Sequence, residues 1–238
     1  MRFNENSRLG DIAAESTHLF MLLSRFEIPL GFGDKSVKTV CDELGVDCRT
    51  FLAIANFVAT NDGTVYHSVS VASLLYYLRA SHRYYCDFLL PKLREELLSV
   101  TDLVDDRKLA SLIIRLFDDY AASARRHLDF ENDKVFPYVE ALVKGSRLND
   151  GKQLSDVIRQ HDSIDGDMSE LKTVLVKYFP FNDRTRDGVS RILCDLFVCE
   201  DDLNVHSNIE DTIFIPAAMD LEKSLSSSVS AVGGAQSR

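Results

Sequence analysis

The run His127-Leu128-Asp129-Phe130-Glu131 and its echo 79 residues later, His206-Ser207-Asn208-Ile209-Glu210, decide how this chain is read. In each, a histidine precedes a glutamate by four residues. Six residues beyond each glutamate stands a proline, Pro137 or Pro216, behind a short apolar run (Val135-Phe136 and Phe214-Ile215). Counting back 45 residues from His127 reaches His82, and the same step from His206 reaches His161, so four of the six histidines lie on one duplicated template. On a helix, residues four apart share a face about 6 Å apart along the axis, and each pair presents an imidazole and a carboxylate to one point.

Apolar residues recur at helical spacing around these motifs and predict four long helices, at about 71–98, 106–143, 154–178 and 185–221. Pro91 lies inside the first and should kink or locally break it. Connections this short force neighbouring helices to run antiparallel, which gives an all-α, up-down antiparallel four-helix bundle. The 45-residue step then carries the chain up half a helix, through a loop and back to the same height. His82, His127, His161 and His206 converge at one level, one from each helix.

A lone histidine on an apolar stripe is more often hydrogen-bonded core than ligand. Four at one level with two carboxylates would each worsen the burial of the others unless a cation were present. Two glutamates can bridge two metal ions about 3.5 to 4 Å apart, with imidazoles completing each ion and positions left for a small molecule. Imidazole and carboxylate ligation without thiolates suits iron or manganese, with zinc a competitor. No H-E-x-x-H is present, so the zinc-protease helix is excluded on its own motif.

The rest of the chain narrows the class. A net charge of -10 opposes extended contact with nucleic acid or an anionic membrane, which requires clustered Lys and Arg. No apolar stretch is long enough for a membrane span and no export signal opens the chain, so a cytoplasmic protein is expected. Cys41, Cys48, Cys86, Cys194 and Cys199 include no C-x-x-C pair and read as reduced thiols. Residues 1–68 read as a small helical domain. Its first helix runs over about 9–26, a second follows Ser36 as cap and ends at Gly45, and a third covers about 48–59. Helix, turn and helix here suggest a DNA reader, but acids outnumber bases in this region. Residues 69–222 form the bundle, and the Ser-, Gly- and Ala-rich residues 223–238 are expected to be a flexible tail.

The ligand set His82, His127-x-x-x-Glu131, His161 and His206-x-x-x-Glu210, with Phe136-Pro137 and Ile215-Pro216 behind the glutamates, resembles the hemerythrin-like domain. It is most similar to the bacterial di-iron proteins for repair of iron centres, the RIC family, which also place a small helical domain before the bundle. The resemblance implies that these six residues hold two non-haem irons with bridging carboxylates. It implies oxygen or nitric oxide as the small ligand and iron–sulfur proteins as recipients, and it leaves a homodimer open. Blood-type hemerythrins add a fifth histidine and a bridging aspartate, which are not found here. The family's N-terminal Asp-Tyr-Cys-Cys-Gly-Gly motif is replaced by Pro29-Leu30-Gly31-Phe32-Gly33-Asp34-Lys35, without either thiol. Cys41 and Cys48, seven residues apart, read as poor substitutes. Asp202 and Asp165 are expected as acceptors for ligand imidazoles. Tyr85 and Tyr120 are expected mainly in the core, and His18 and His67 as ordinary polar positions.

Overall fold

The computed structural model describes residues 2–61, 69–146, 153–159 and 168–233. The described residues are all-α, with one isolated bridge between Arg8 and Ser36. The expected first helix is two, α1 (Leu9–Glu15) and α2 (Thr17–Arg25), because Ser16 turns to extended backbone (φ -158°). Its hydroxyl accepts from Leu19 N–H and so starts α2 afresh. Ser36 caps α3 (Val37–Leu44), which ends at Gly45 in the left-handed region (φ 70°). Asp47 caps α4 (Cys48–Thr60) by accepting from Thr50 N–H at 2.8 Å. Buried Asn56 in α4 clasps the N-terminal segment, its carbonyl accepting from Arg2 and Phe3 N–H and its amide donating to Phe3 O.

Three of the long helices carry the same irregularity. The first is α5 (Val71–Arg83), a π-helical run at Tyr84–Leu89, and α6 (Leu90–Thr101). The second is α7 (Arg107–Phe130), a π run at Glu131–Val135, and α8 (Phe136–Val143). After α9 (Leu154–Ile158) and α10 (Met168–Tyr178) comes α11 (Arg186–Ile209), a π run at Glu210–Phe214, and α12 (Ile215–Gly233). Each π run ends two residues before a proline: Pro91, Pro137 or Pro216. Proline offers no N–H, and its ring displaces the carbonyl four residues back. The chain responds by widening its bonding step, so that Leu90 N–H donates to Tyr85 O and Ile215 N–H to Glu210 O. At Pro91, where a kink or break is expected, the helix widens and continues.

Two compact units are present. One comprises residues 82–132 and 160–204. Its core includes Leu93 and Leu97 of α6, Phe117 and Leu128 of α7, Leu171 and Leu175 of α10, and Leu196 and Leu203 of α11. The other comprises residues 1–81, 133–159 and 205–238. There Phe26 stacks its ring against Phe51 (5.5 Å) and Tyr77 (5.4 Å), joining α2, α4 and α5. Buried Glu222 of α12 accepts from Tyr138 O–H and from Leu154 N–H, tying α8 and the start of α9 to α12. Within this unit the Phe26–Tyr77 contact sets the N-terminal helices against α5.

The segment from Ser224, expected as a tail, is helical to Gly233. Ser224, Ser226 and Ser227 turn their hydroxyls back onto the carbonyls of Leu221, Glu222 and Lys223, which lets polar residues sit in a helix without exposing unmet donors. No helix among the described residues is long and apolar enough to cross a membrane.

Packing should outweigh capping in stability. Phe117→Ala, at a fully buried site, should cost about 3–5 kcal/mol. Asp106→Ala, which removes the acceptor for Lys108 and Leu109 N–H at the start of α7, should cost about 1 kcal/mol. Urea unfolding followed by circular dichroism measures both, and equal losses would contradict a core-dominated fold.

Candidate metal centre

Three of the six expected ligands meet within one compact unit. His82 is the penultimate residue of α5, and His127 and Glu131 stand one turn apart at the end of α7. Glu131 Oε2 lies 3.1 Å from His82 Nε2, and Glu131 Oε1 lies 3.1 Å from His127 Nε2. One carboxylate is held between two imidazoles.

The surroundings make that arrangement electrostatically demanding. Side-chain exposure is 0% for Glu131, 2% for His82 and 9% for His127. An ionised carboxylate removed from water costs several kcal/mol unless cations and hydrogen bonds compensate it. His82 Nδ1 lies 3.1 Å from Asn132 Oδ1. An amide oxygen only accepts, so Nδ1 is the donor in this contact and Nε2 is the nitrogen turned toward Glu131. A lone pair facing a carboxylate oxygen at 3.1 Å is favourable only with a cation between or beside them, whether proton or metal.

His206 and Glu210 occupy the corresponding end of α11 and the first position of its π run, and both are buried. Within the first unit His82, His127 and Glu131 bring two imidazole nitrogens and both oxygens of one carboxylate together as potential ligand atoms. The donors are imidazole nitrogens and carboxylate oxygens, a set that suits first-row transition metals, so the residues fit a metal site. His161 lies outside the described residues, as do Asp165 and His67.

The apolar runs behind the glutamates also have a place. Phe136 and Phe214 meet edge to face, with ring centroids 5.8 Å apart and planes at 89°. The Arg79 guanidinium lies over Phe136 and pairs with Glu140 at 2.7 Å. Asp202 is buried, and its backbone carbonyl accepts from Tyr85 O–H at 3.2 Å; Tyr85 is therefore a buried strut. Cys199 shares the helix face of His206, but burial, followed by the charges of Asp202 and Glu200, pushes its thiol up to about 12. It stands there as an apolar, protonated side chain.

Asn132 is the functional residue that the sequence reading missed. The signal available was chemical: a ligand imidazole needs an acceptor for its other nitrogen. No spacing rule connects position 132 to position 82 on another helix.

Residues 73–218 match the family model described as the hemerythrin HHE cation-binding domain, a span that contains every residue of the groups above. No curated protein and no solved structure gives a match.

Asn132→Ala removes the acceptor that fixes the His82 ring. Affinity for Fe2+ or Mn2+, read by competition with a chelator, should fall about 10- to 100-fold with the fold retained. Unchanged affinity would show that this contact does not orient the ligand.

Proposed function

Because the chain belongs to the hemerythrin HHE cation-binding family, we propose that it is a non-haem di-iron protein that repairs, or delivers iron to, iron–sulfur clusters damaged by nitrosative or oxidative stress. The observation that carries this reading is the buried Glu131 carboxylate shared by His82 and His127, each Nε2 at 3.1 Å. A carboxylate with one oxygen toward each of two imidazoles is arranged as a bridge between two ions.

In this reading His82, His127, Glu131, His161, His206 and Glu210 hold the two irons, with manganese and zinc as competitors. Irons so bound supply exchangeable positions for oxygen or nitric oxide and a store of metal for transfer to iron–sulfur proteins. The chain's part is to orient and to protect. Asn132 holds His82 in the tautomer that offers Nε2. Burial of Glu131, His82, His206 and Glu210 keeps water from competing for the ligand atoms. The π runs place Glu131 and Glu210 each at a widened turn, where the backbone is displaced from ordinary helical packing. The free thiols fit a reducing compartment such as the cytoplasm.

One observation favours a second reading. The segment from Pro29 to Lys35, where the repair proteins carry adjacent thiols, is a turn with Gly31 at φ 93° and Gly33 at φ 61°, and it has no cysteine. A binding module then senses oxygen or nitric oxide and passes the state to a partner through the N-terminal helices.

Purified protein should carry about two irons per chain by elemental analysis, and a single zinc or no metal in iron-replete cells would overturn both readings. Glu131→Ala should lose the metal and destabilise the helices, since imidazoles stay buried without their cation. Because the ligands bind metal deprotonated, affinity should rise with pH and be lost on acidification. Reactivation of an iron–sulfur enzyme inactivated by nitric oxide marks the repair protein. Nitric oxide binding without reactivation marks the sensor.

A further inference from the structure

The end of α2 carries a residue that local energetics disfavour. Phe26 closes the helix, and beyond it Glu27 N–H donates to Ser24 O at 3.1 Å and Ile28 N–H to Leu23 O at 2.8 Å. This pair of bonds is the helix stop in which the residue after the cap turns left-handed. Glu27 takes that position, at φ 54°. Every other left-handed residue among the described ones is glycine or asparagine: Gly31, Gly33, Gly45, Asn61 and Gly145. Glycine enters this region without steric cost, and glutamate has neither that freedom nor the short amide of asparagine. Its charge also stands at the negative end of the α2 dipole. Backbone and dipole both oppose a glutamate here, which directs attention to what its side chain faces.

Glu27 lines a cavity of about 370 Å3 together with Phe26, Leu44, Val46, Asp47 and Tyr76. That is the size of a pocket for a small molecule. Its walls are held in place from behind. Phe26 packs on Phe51 and Tyr77 with ring centroids 5.5 and 5.4 Å away, and Asp47 is fixed as the cap of α4 by accepting from Thr50 N–H. The C-terminal ends of α2 and α3 and the N-terminal ends of α4 and α5 all border the cavity, so the helix dipoles offset one another. Side chains therefore set its sign. Glu27 and Asp47 are acidic, and no Lys, Arg or His stands among the described lining residues. None of these residues is a ligand of the metal centre.

We propose that this cavity binds a small organic cation, an amine or amidine carried on an aromatic or branched aliphatic body, with Glu27 as its counter-ion. The N–H groups of the cation donate to the Glu27 carboxylate, a charge-assisted bond of the stronger kind. Its body packs against Phe26, Leu44, Val46 and Tyr76, and aromatic walls also suit positive charge. Leu44 and Tyr76 are 46% and 44% exposed, so the ligand covers apolar surface that is otherwise wet. Asp47 is engaged as a cap, which leaves discrimination of charge to Glu27.

The full chain, with its metal as purified, is titrated calorimetrically with benzamidine and with benzamide, which has nearly the same shape and no charge. Benzamidine should bind at least about tenfold more tightly than benzamide, the factor a hydrogen bond to a charged group supplies. Glu27→Gln keeps the side-chain length and the left-handed backbone, and it should weaken benzamidine by about tenfold. Glu27→Gly should abolish binding yet raise the melting temperature of the ligand-free chain, because strain and dipole repulsion are removed together. The proposal is overturned if benzamidine gives no heat, or if benzamide or the Glu27→Gln chain matches the native pairing in affinity. It is equally overturned if Glu27→Gly melts no higher than the native chain, since Glu27 would then be a structural residue.

Discussion

A carboxylate without solvent, Glu131, lies between the ring nitrogens of His82 and His127, and the rest of the structure accommodates that contact. In a low-dielectric interior such a group is tolerable only with cationic partners at fixed distances, and the uncompensated cost of several kcal/mol exceeds what one buried leucine returns, about 1.5–3 kcal/mol. The surrounding apolar packing is correspondingly deep. Leu93, Leu97, Phe117, Leu128 and Leu196 are fully buried around the helices that carry the site. Rigid packing keeps the imidazoles from swinging away toward water, and it gives the site its geometry before any ion arrives.

The prolines serve the same end by local means. Pro137 and Pro216 follow the two glutamates at equal distance, and each forces the preceding turn open into a π run that begins at the glutamate itself. Proline in mid-helix ordinarily lowers stability. Here the loss is offset by the ring contact of Phe136 with Phe214 and by helical continuation beyond both prolines.

Much of this was legible in the residues. The His and Glu template has a fixed period, so the all-α class and the shared helix face of His127 and Glu131 follow from spacing. Ser36 and Gly45 announced the limits of α3 because capping is a local chemical event. What stayed hidden depended on contacts distant in sequence or on competition between local choices. Asn132 meets His82 across 50 positions. Ser16 interrupts an apolar pattern that would otherwise continue, since its hydroxyl offers the backbone a fresh start. The serines after Leu221 suggested a tail by composition, yet Ser224, Ser226 and Ser227 return their hydroxyls to the helix.

A π turn takes up one residue more than an α turn for nearly the same rise, which means that Glu131 and Glu210 each mark a break in angular phase. Residues before and after such a break cannot be laid on one helical wheel. Removing one residue from 131–135 would let the helix close into regular α form with the residues beyond it at nearly the same azimuth, because the wide turn had absorbed the extra residue. Phe136, Val139 and Leu142 lie buried just beyond the wide turn, so the apolar face resumes directly after it. The wide turn thus lets the sequence carry one residue more at Glu131 and at Glu210 while the apolar continuation of each helix keeps its face.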